Sequence, residues 1–69
     1  MFIKIGGKII NISLVKNISK MERELSSGIH YYIIIEYIIG EKEIISFYKD
    51  KEERDRIIKN IEERFFINL

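Results

Sequence analysis

Residues 29–39 decide the fold of this chain, and they read IHYYIIIEYII. The stretch is almost wholly β-branched or aromatic, a composition that predicts a long β-strand. Side chains alternate between the two faces of a strand, which gives one set of Ile29, Tyr31, Ile33, Ile35, Tyr37 and Ile39, and another of His30, Tyr32, Ile34, Glu36 and Ile38. Neither set is polar throughout, so this strand needs at least partial cover on both faces.

Turn signals on both sides of this stretch predict a series of antiparallel strands. Gly40-Glu41 favours a tight turn into a strand over residues 42–49, and Gly6-Gly7 favours a two-residue hairpin because both positions tolerate positive φ. A brief turn at Ser13-Leu14 precedes a further strand, and residues 24–28 have the composition of a loop. The predicted strands are residues 2–5, 8–12, 15–23, 29–39 and 42–49.

One helix is predicted at the end of this series, over residues 51–65. Asp50 is a favourable N-cap, and Glu53 three residues later completes a variant of the capping box. The stripe of the helix that faces the sheet holds Arg54, Ile57, Ile58, Ile61 and Phe65. A small antiparallel sheet with one C-terminal amphipathic helix packed on it is an α+β fold, and we expect a single domain over residues 1–69.

The size of the chain predicts assembly. A domain of about 60 residues buries only about 60% of its unfolded surface, and with no cysteine in 69 residues no disulfide can compensate. One helix covers one face of a small sheet, so we expect a homodimer or small homo-oligomer. The alternative is a sheet that curls into a partial barrel. The candidate self-association face consists of Tyr31, Ile33, Ile35, Tyr37 and Phe47.

Charge is unevenly distributed along the chain. The formal net charge is +1, but residues 1–21 carry four lysines and no acid. The candidate anion contacts are Lys4, Lys8 and Arg54. In the competing interpretation the lysines keep strand edges soluble, and the stem of Arg54 covers apolar surface while its guanidinium reaches water.

No residue pattern predicts catalysis, a metal site or a cofactor. The single histidine, His30, lies six residues from Glu36, about 20 Å along one strand, so the two cannot touch within one chain. We therefore expect a non-enzymatic module that binds a protein or a small ligand. The alternative is a nucleic-acid-associated protein that uses strand tyrosines with Lys4, Lys8, Lys16 and Lys20.

The remaining expectations concern location and origin. The first residues do not form a signal peptide, and no apolar run approaches the roughly 20 residues that span a bilayer, so we expect a cytoplasmic protein without a membrane contact. Abundant Ile, Lys, Asn and Tyr without Pro or Trp is typical of AT-rich coding sequence, which favours an accessory or inhibitory protein of a low-GC bacterium or its phage. Phe66, Ile67 and Leu69 are apolar enough to dock, either on their own chain or on a neighbour.

Overall fold

The computed structural model describes residues 1–65 and has the predicted α+β fold, with five antiparallel strands and one C-terminal helix. The apolar tail named above lies outside the described residues. The elements are β1 (Phe2–Ile5), β2 (Lys8–Asn11), a 3-10 turn (Ile12–Leu14), β3 (Val15–Leu25), β4 (Gly28–Tyr37), β5 (Lys42–Ser46) and α1 (Lys51–Phe65). Strands β1 and β2 form one sheet, and β3, β4 and β5 form a second sheet in that order.

The β1–β2 hairpin closes at the predicted glycine pair. Gly6 and Gly7 have φ values of 54° and 82°, the positive values that a tight two-residue turn requires. Ile5 stands opposite Lys8, and the ladder continues beyond Phe2, where the Ile12 amide donates to the Met1 carbonyl at 2.9 Å. The outer edge of β1 is left without a partner strand among residues 1–65.

Several predicted strand ends were wrong. Some strands keep their backbone hydrogen bonds past the polar residues at which they were expected to end, and others end before the last apolar residue of their stretch. Strand β3 continues to Leu25 rather than ending at Arg23, so the loop predicted over residues 24–28 shrinks to Ser26 and Ser27. Strand β2 ends one residue early, because Ile12 begins the 3-10 turn that includes the predicted turn at Ser13-Leu14.

The hairpin between β4 and β5 also differs from the prediction. Strand β4 ends at Tyr37 because the chain turns there: the Gly40 amide donates to the Tyr37 carbonyl at 2.9 Å, and residues 38–41 form the turn. Strand β5 ends at Ser46, where Phe47 and Tyr48 both bond to Tyr31, two residues against one as in a β-bulge. Tyr48 has a φ of 53°, a left-handed conformation that turns the chain toward the helix.

The helix bounds, residues 51–65, are confirmed. The Asp50 carboxylate accepts from the Glu53 amide at 3.0 Å, so the predicted N-cap is present. The second half of the capping box is not, because the Glu53 carboxylate pairs with Arg56. The apolar stripe of α1 then places Ile58 and Ile61 in the core.

One face of the three-stranded sheet holds the core. The β1–β2 hairpin and α1 both pack on this covered face, and Gly6 lies so close that an added Cβ would stand 2.7 Å from Ile45 Cγ2. The buried apolar residues are Ile3, Ile5, Ile10, Ile18, Ile33, Ile35, Ile45, Phe47, Ile58 and Ile61.

Candidate binding surfaces

The residues proposed from sequence as a self-association face lie on the covered face. Ile33 and Ile35 have no exposed surface and Phe47 is 9% exposed, because the hairpin and α1 lie over them. Tyr31 and Tyr37 are half-buried at its margins. Ile33, Ile35 and Phe47 are therefore packed within one copy of the chain, and the predicted face is not an exposed surface.

Arg54 is engaged inside the protein rather than available to an anion. It is 1% exposed, and its guanidinium donates to Glu22 at 2.8 Å, to the Met21 carbonyl at 3.1 Å and to Asp55 at 2.8 Å. The guanidinium carbon lies 5.1 Å from the centre of the Tyr31 ring, within range of a cation–π contact. Burial opposes its charge, but the hydrogen bonds to Glu22 and Asp55 outweigh that effect, so the pKa of Arg54 is raised. The interpretation in which its guanidinium reaches water was wrong, because the guanidinium is buried and bonded to groups of the same chain.

Lys8, the second candidate anion contact, faces a carboxylate. Its ammonium lies 3.4 Å from Glu43, which also accepts a 2.6 Å hydrogen bond from the Tyr37 hydroxyl. The bond to Glu43, with burial, raises the pKa of Tyr37 to about 12. The same bond from Tyr37, together with Lys8, lowers the pKa of Glu43 against the effect of burial. This network ties the β1–β2 hairpin to β4 and β5.

The opposite side of the three-stranded sheet, here called the open face, has no covering element among residues 1–65. The strand register places Met21, Tyr32 and Ser46 in one row, and Ser19, Ile34 and Ile44 in the next. Ile44 is 55% exposed, while Met21, Tyr32 and Ile34 are half-buried against one another. Polar groups close both ends of the face, with Arg23 and His30 at one end and Asn17, Glu36 and Lys42 at the other.

A second surface is the groove between the outer edge of β1 and the side of α1, here called the β1–α1 groove. Its volume is about 510 Å³, and residues 2–7 form one wall. Lys4, the third candidate anion contact, lies on this wall. The helical wall is formed by Glu53, Arg56, Ile57, Asn60, Ile61, Arg64 and Phe65.

The other sequence candidates are not gathered into a site. Lys4 and Lys8 belong to the hairpin, whereas Lys16 and Lys20 lie on β3, where no side chain of residues 1–65 is bonded to them. His30 bonds to the Ser27 hydroxyl at 2.9 Å and meets the Tyr48 ring edge-on at 6.4 Å between centroids. Within residues 1–65, no three His, Asp or Glu side chains converge as a metal-binding group.

Sequence reasoning missed the basic residues of the helical wall. Arg56, Asn60 and Arg64 recur every four residues, so they form a polar row on one side of α1. That row runs beside the apolar series Ile57, Ile61 and Phe65. The sequence already shows this spacing. The row forms one wall of a groove only because β1 lies beside α1 in the structure.

Comparison of the chain with protein-family models, with curated proteins and with solved structures finds no match. In the part of the chain that the structure describes, no helix has the length and apolar character needed to cross a membrane.

Proposed function

We propose that this protein is a small non-enzymatic binding module that works as a homodimer, with the open face of the sheet as the contact between copies. The observation that carries the proposal is the exposure of Ile44 beside Ile34, Tyr32 and Met21 on a face that no described element covers. Apolar side chains grouped in this way gain free energy when they leave water, and a two-fold contact uses the same face twice.

Charge along the open face favours a second copy as the occupant. A two-fold axis parallel to the inter-strand hydrogen bonds lays β4 on β4 of the second copy in the opposite direction. His30, near one end of the face, then lies over Glu36 of the second copy, near the other end. A histidine–carboxylate contact forms twice in such a dimer, and the apolar rows meet between the two contacts.

The area of the face sets the expected strength of the dimer. Three strands about 4.8 Å apart and four rows about 7 Å apart give about 400 Å². That is half of the roughly 800 Å² that each partner buries in a standard interface. We therefore expect a dimer that dissociates on dilution rather than one that is permanent.

The test is the solution mass, measured by light scattering over a dilution series for the wild type and two charge variants. Ile44→Glu places a carboxylate in the centre of the proposed contact and should give a folded monomer at every concentration. The matched control is Ile9→Glu, because Ile9 is 70% exposed on the β1–β2 hairpin, away from the open face. This variant should dimerise like the wild type.

Two results would contradict the proposal. One is a wild type that remains monomeric at the highest concentration, and the other is an Ile44→Glu variant that dimerises as strongly as the Ile9→Glu control. Circular dichroism of each variant shows whether a change in mass comes from unfolding instead. Ile44→Ser offers a milder replacement if the glutamate variant does not fold.

A further inference from the structure

The outer edge of β1 presents free backbone groups to the β1–α1 groove. Residues on either side of a two-residue turn exchange hydrogen bonds, so Ile5 bonds with Lys8 and, two residues on, Ile3 bonds with Ile10. The residues between them point their N–H and C=O groups the other way, toward the groove. Phe2 and Lys4 thus offer two backbone donors and two backbone acceptors on the side away from β2, and no group of the described residues bonds to them.

Edge groups of this kind are the template for an added strand. An extended peptide can pair with a free strand edge through its main chain, while its alternate side chains enter the neighbouring surfaces. In the β1–α1 groove the inner side is apolar, because Ile57 and Ile61 of α1 lie against it. A peptide strand beside β1 would therefore turn every second side chain toward isoleucine.

The charge of the groove indicates which side chains the peptide needs at the alternate positions, those that do not face isoleucine. Lys4, Arg56 and Arg64 line the groove, and the single acidic side chain among its described lining residues, Glu53, is already paired with Arg56. Two positive charges remain in excess. Lys4 lies on the outward side of β1 and is exposed, so it faces the peptide side chains that point away from α1.

We propose that the β1–α1 groove binds an extended peptide in which acidic and aliphatic residues alternate, added as a strand to the edge of β1. Charge selects this occupant over a second copy, because antiparallel pairing of β1 with β1 of another molecule would place the two Lys4 side chains opposite each other or, with Ile3 at the centre, as diagonal neighbours. The inference deepens the proposed binding function, but it uses a different surface from the dimer contact, so the two can fail separately.

The test measures fluorescence anisotropy of a labelled, capped peptide of alternating Glu and Ile, titrated with the full chain. The comparison peptide alternates Lys and Ile. We expect saturable binding of the acidic peptide and at least about tenfold weaker binding of the basic one, since like charges oppose association. Methylation of the peptide amides that pair with β1 should weaken binding by about tenfold or more, because each removes a main-chain hydrogen bond.

Charge reversal in the protein locates the site. Lys4→Glu should reduce affinity for the acidic peptide by about tenfold and improve binding of the basic one. The control is Lys20→Glu, an equally exposed strand lysine outside the groove, which should bind like the wild type. Equal binding of the two peptides, no binding of either, or insensitivity to both Lys4→Glu and amide methylation would overturn the proposal.

Hydrogen exchange in the free protein tests the other occupants. With the edge of β1 open, the Phe2 and Lys4 amides should exchange rapidly until the acidic peptide is added. Slow exchange in the free monomer would mean that the chain's own residues 66–69 occupy the edge. Protection that rises with protein concentration would mean that a second copy occupies it. Either result overturns the peptide proposal, and neither changes the Ile44→Glu dimer test.

Discussion

Ile33 and Ile34 are neighbours in one strand with the same side chain, yet Ile33 has no exposed surface and Ile34 lies on the open face. The difference does not lie in their propensity or hydrophobicity. It comes from residues far along the chain, since Ile58 and Ile61 of α1 join Ile33 in the core. The two faces of β4 show that an apolar pattern predicts that a face will be buried, but the packing of the rest of the chain decides which of two apolar faces is buried.

The largest expected effect comes from truncating these two residues. Ile33→Ala should lower the free energy of unfolding by about 2–5 kcal/mol, because a cavity opens in the core. Ile34→Ala should cost about 1 kcal/mol, measured by denaturant unfolding at concentrations too low for a dimer. If the alanine variant of Ile33 does not fold, Ile33→Val against Ile34→Val gives the same ranking on a smaller scale. Equal losses at the two positions would mean that the open face is covered.

Two arginines of α1, Arg54 and Arg56, repeat the comparison of a buried with an exposed side chain. Arg54→Ala should lower the free energy of unfolding by about 2–3 kcal/mol, since a buried stem is lost and the Met21 carbonyl loses its donor. The stability of Arg54→Lys should lie between that of the wild type and that of Arg54→Ala, because lysine cannot form all three hydrogen bonds that the guanidinium makes. Arg56→Ala, two residues away and exposed, should leave stability unchanged within error in the same unfolding experiment. A lysine variant as stable as the wild type would show that charge alone matters at position 54.

Two adjacent glycines test whether the hairpin packs on the covered face. Both have positive φ, so Gly7→Ala should cost about 1 kcal/mol of strain. Gly6→Ala should cost about 1–2 kcal/mol more, because its methyl group meets Ile45, whereas a methyl group at Gly7 has nothing within 4 Å. Thermal or urea unfolding of the two variants measures the difference. Equal losses would indicate that the turn does not lie against β5.

The smallest expected effect is the pH dependence of stability that comes from the Tyr37–Glu43 hydrogen bond at the edge of the covered face. Glu43 has a lowered pKa, so its contribution to stability is present above its ordinary value of 4.5 and is lost as pH falls through the lowered one. Tyr37 has a raised pKa, so its contribution is present below 10.0 and is lost as pH rises toward about 12. Tyr37→Phe should remove about half a kcal/mol at neutral pH, since the pair is partly exposed. Urea midpoints of both proteins against pH should converge at the two extremes.

Local patterns predicted the elements of this fold well. The glycine pair, the N-cap at Asp50 and the uninterrupted helix formers after it are read within a few residues, and each element they predict is present. Strand ends were less predictable, because a backbone ladder continues through polar residues such as Glu24 and ends where the chain turns, as it does after Tyr37 although Ile38 and Ile39 are apolar.

The surfaces were beyond the reach of the sequence. Two apolar sets alternate along β4, and a period of two cannot say which of them α1 covers. The predicted self-association face was therefore placed on the side that the structure fills with core. Arg54 was similarly undecidable, since its partners Glu22 and Met21 are more than thirty residues away. The sequence predicted Lys4 as an anion contact from its charge alone and did not predict the groove beside it.

The position of α1 after all five strands has a consequence for the order of folding. Each strand pairs with a neighbour in sequence, so all three hairpins can close before α1 docks. The β1–β2 hairpin covers only part of the core face, however, until Ile58 and Ile61 of α1 pack on it. A folding chain in which α1 has not yet docked would leave part of the surface of Ile33, Ile35 and Ile45 in water, so the docking of α1 is the step that completes the core.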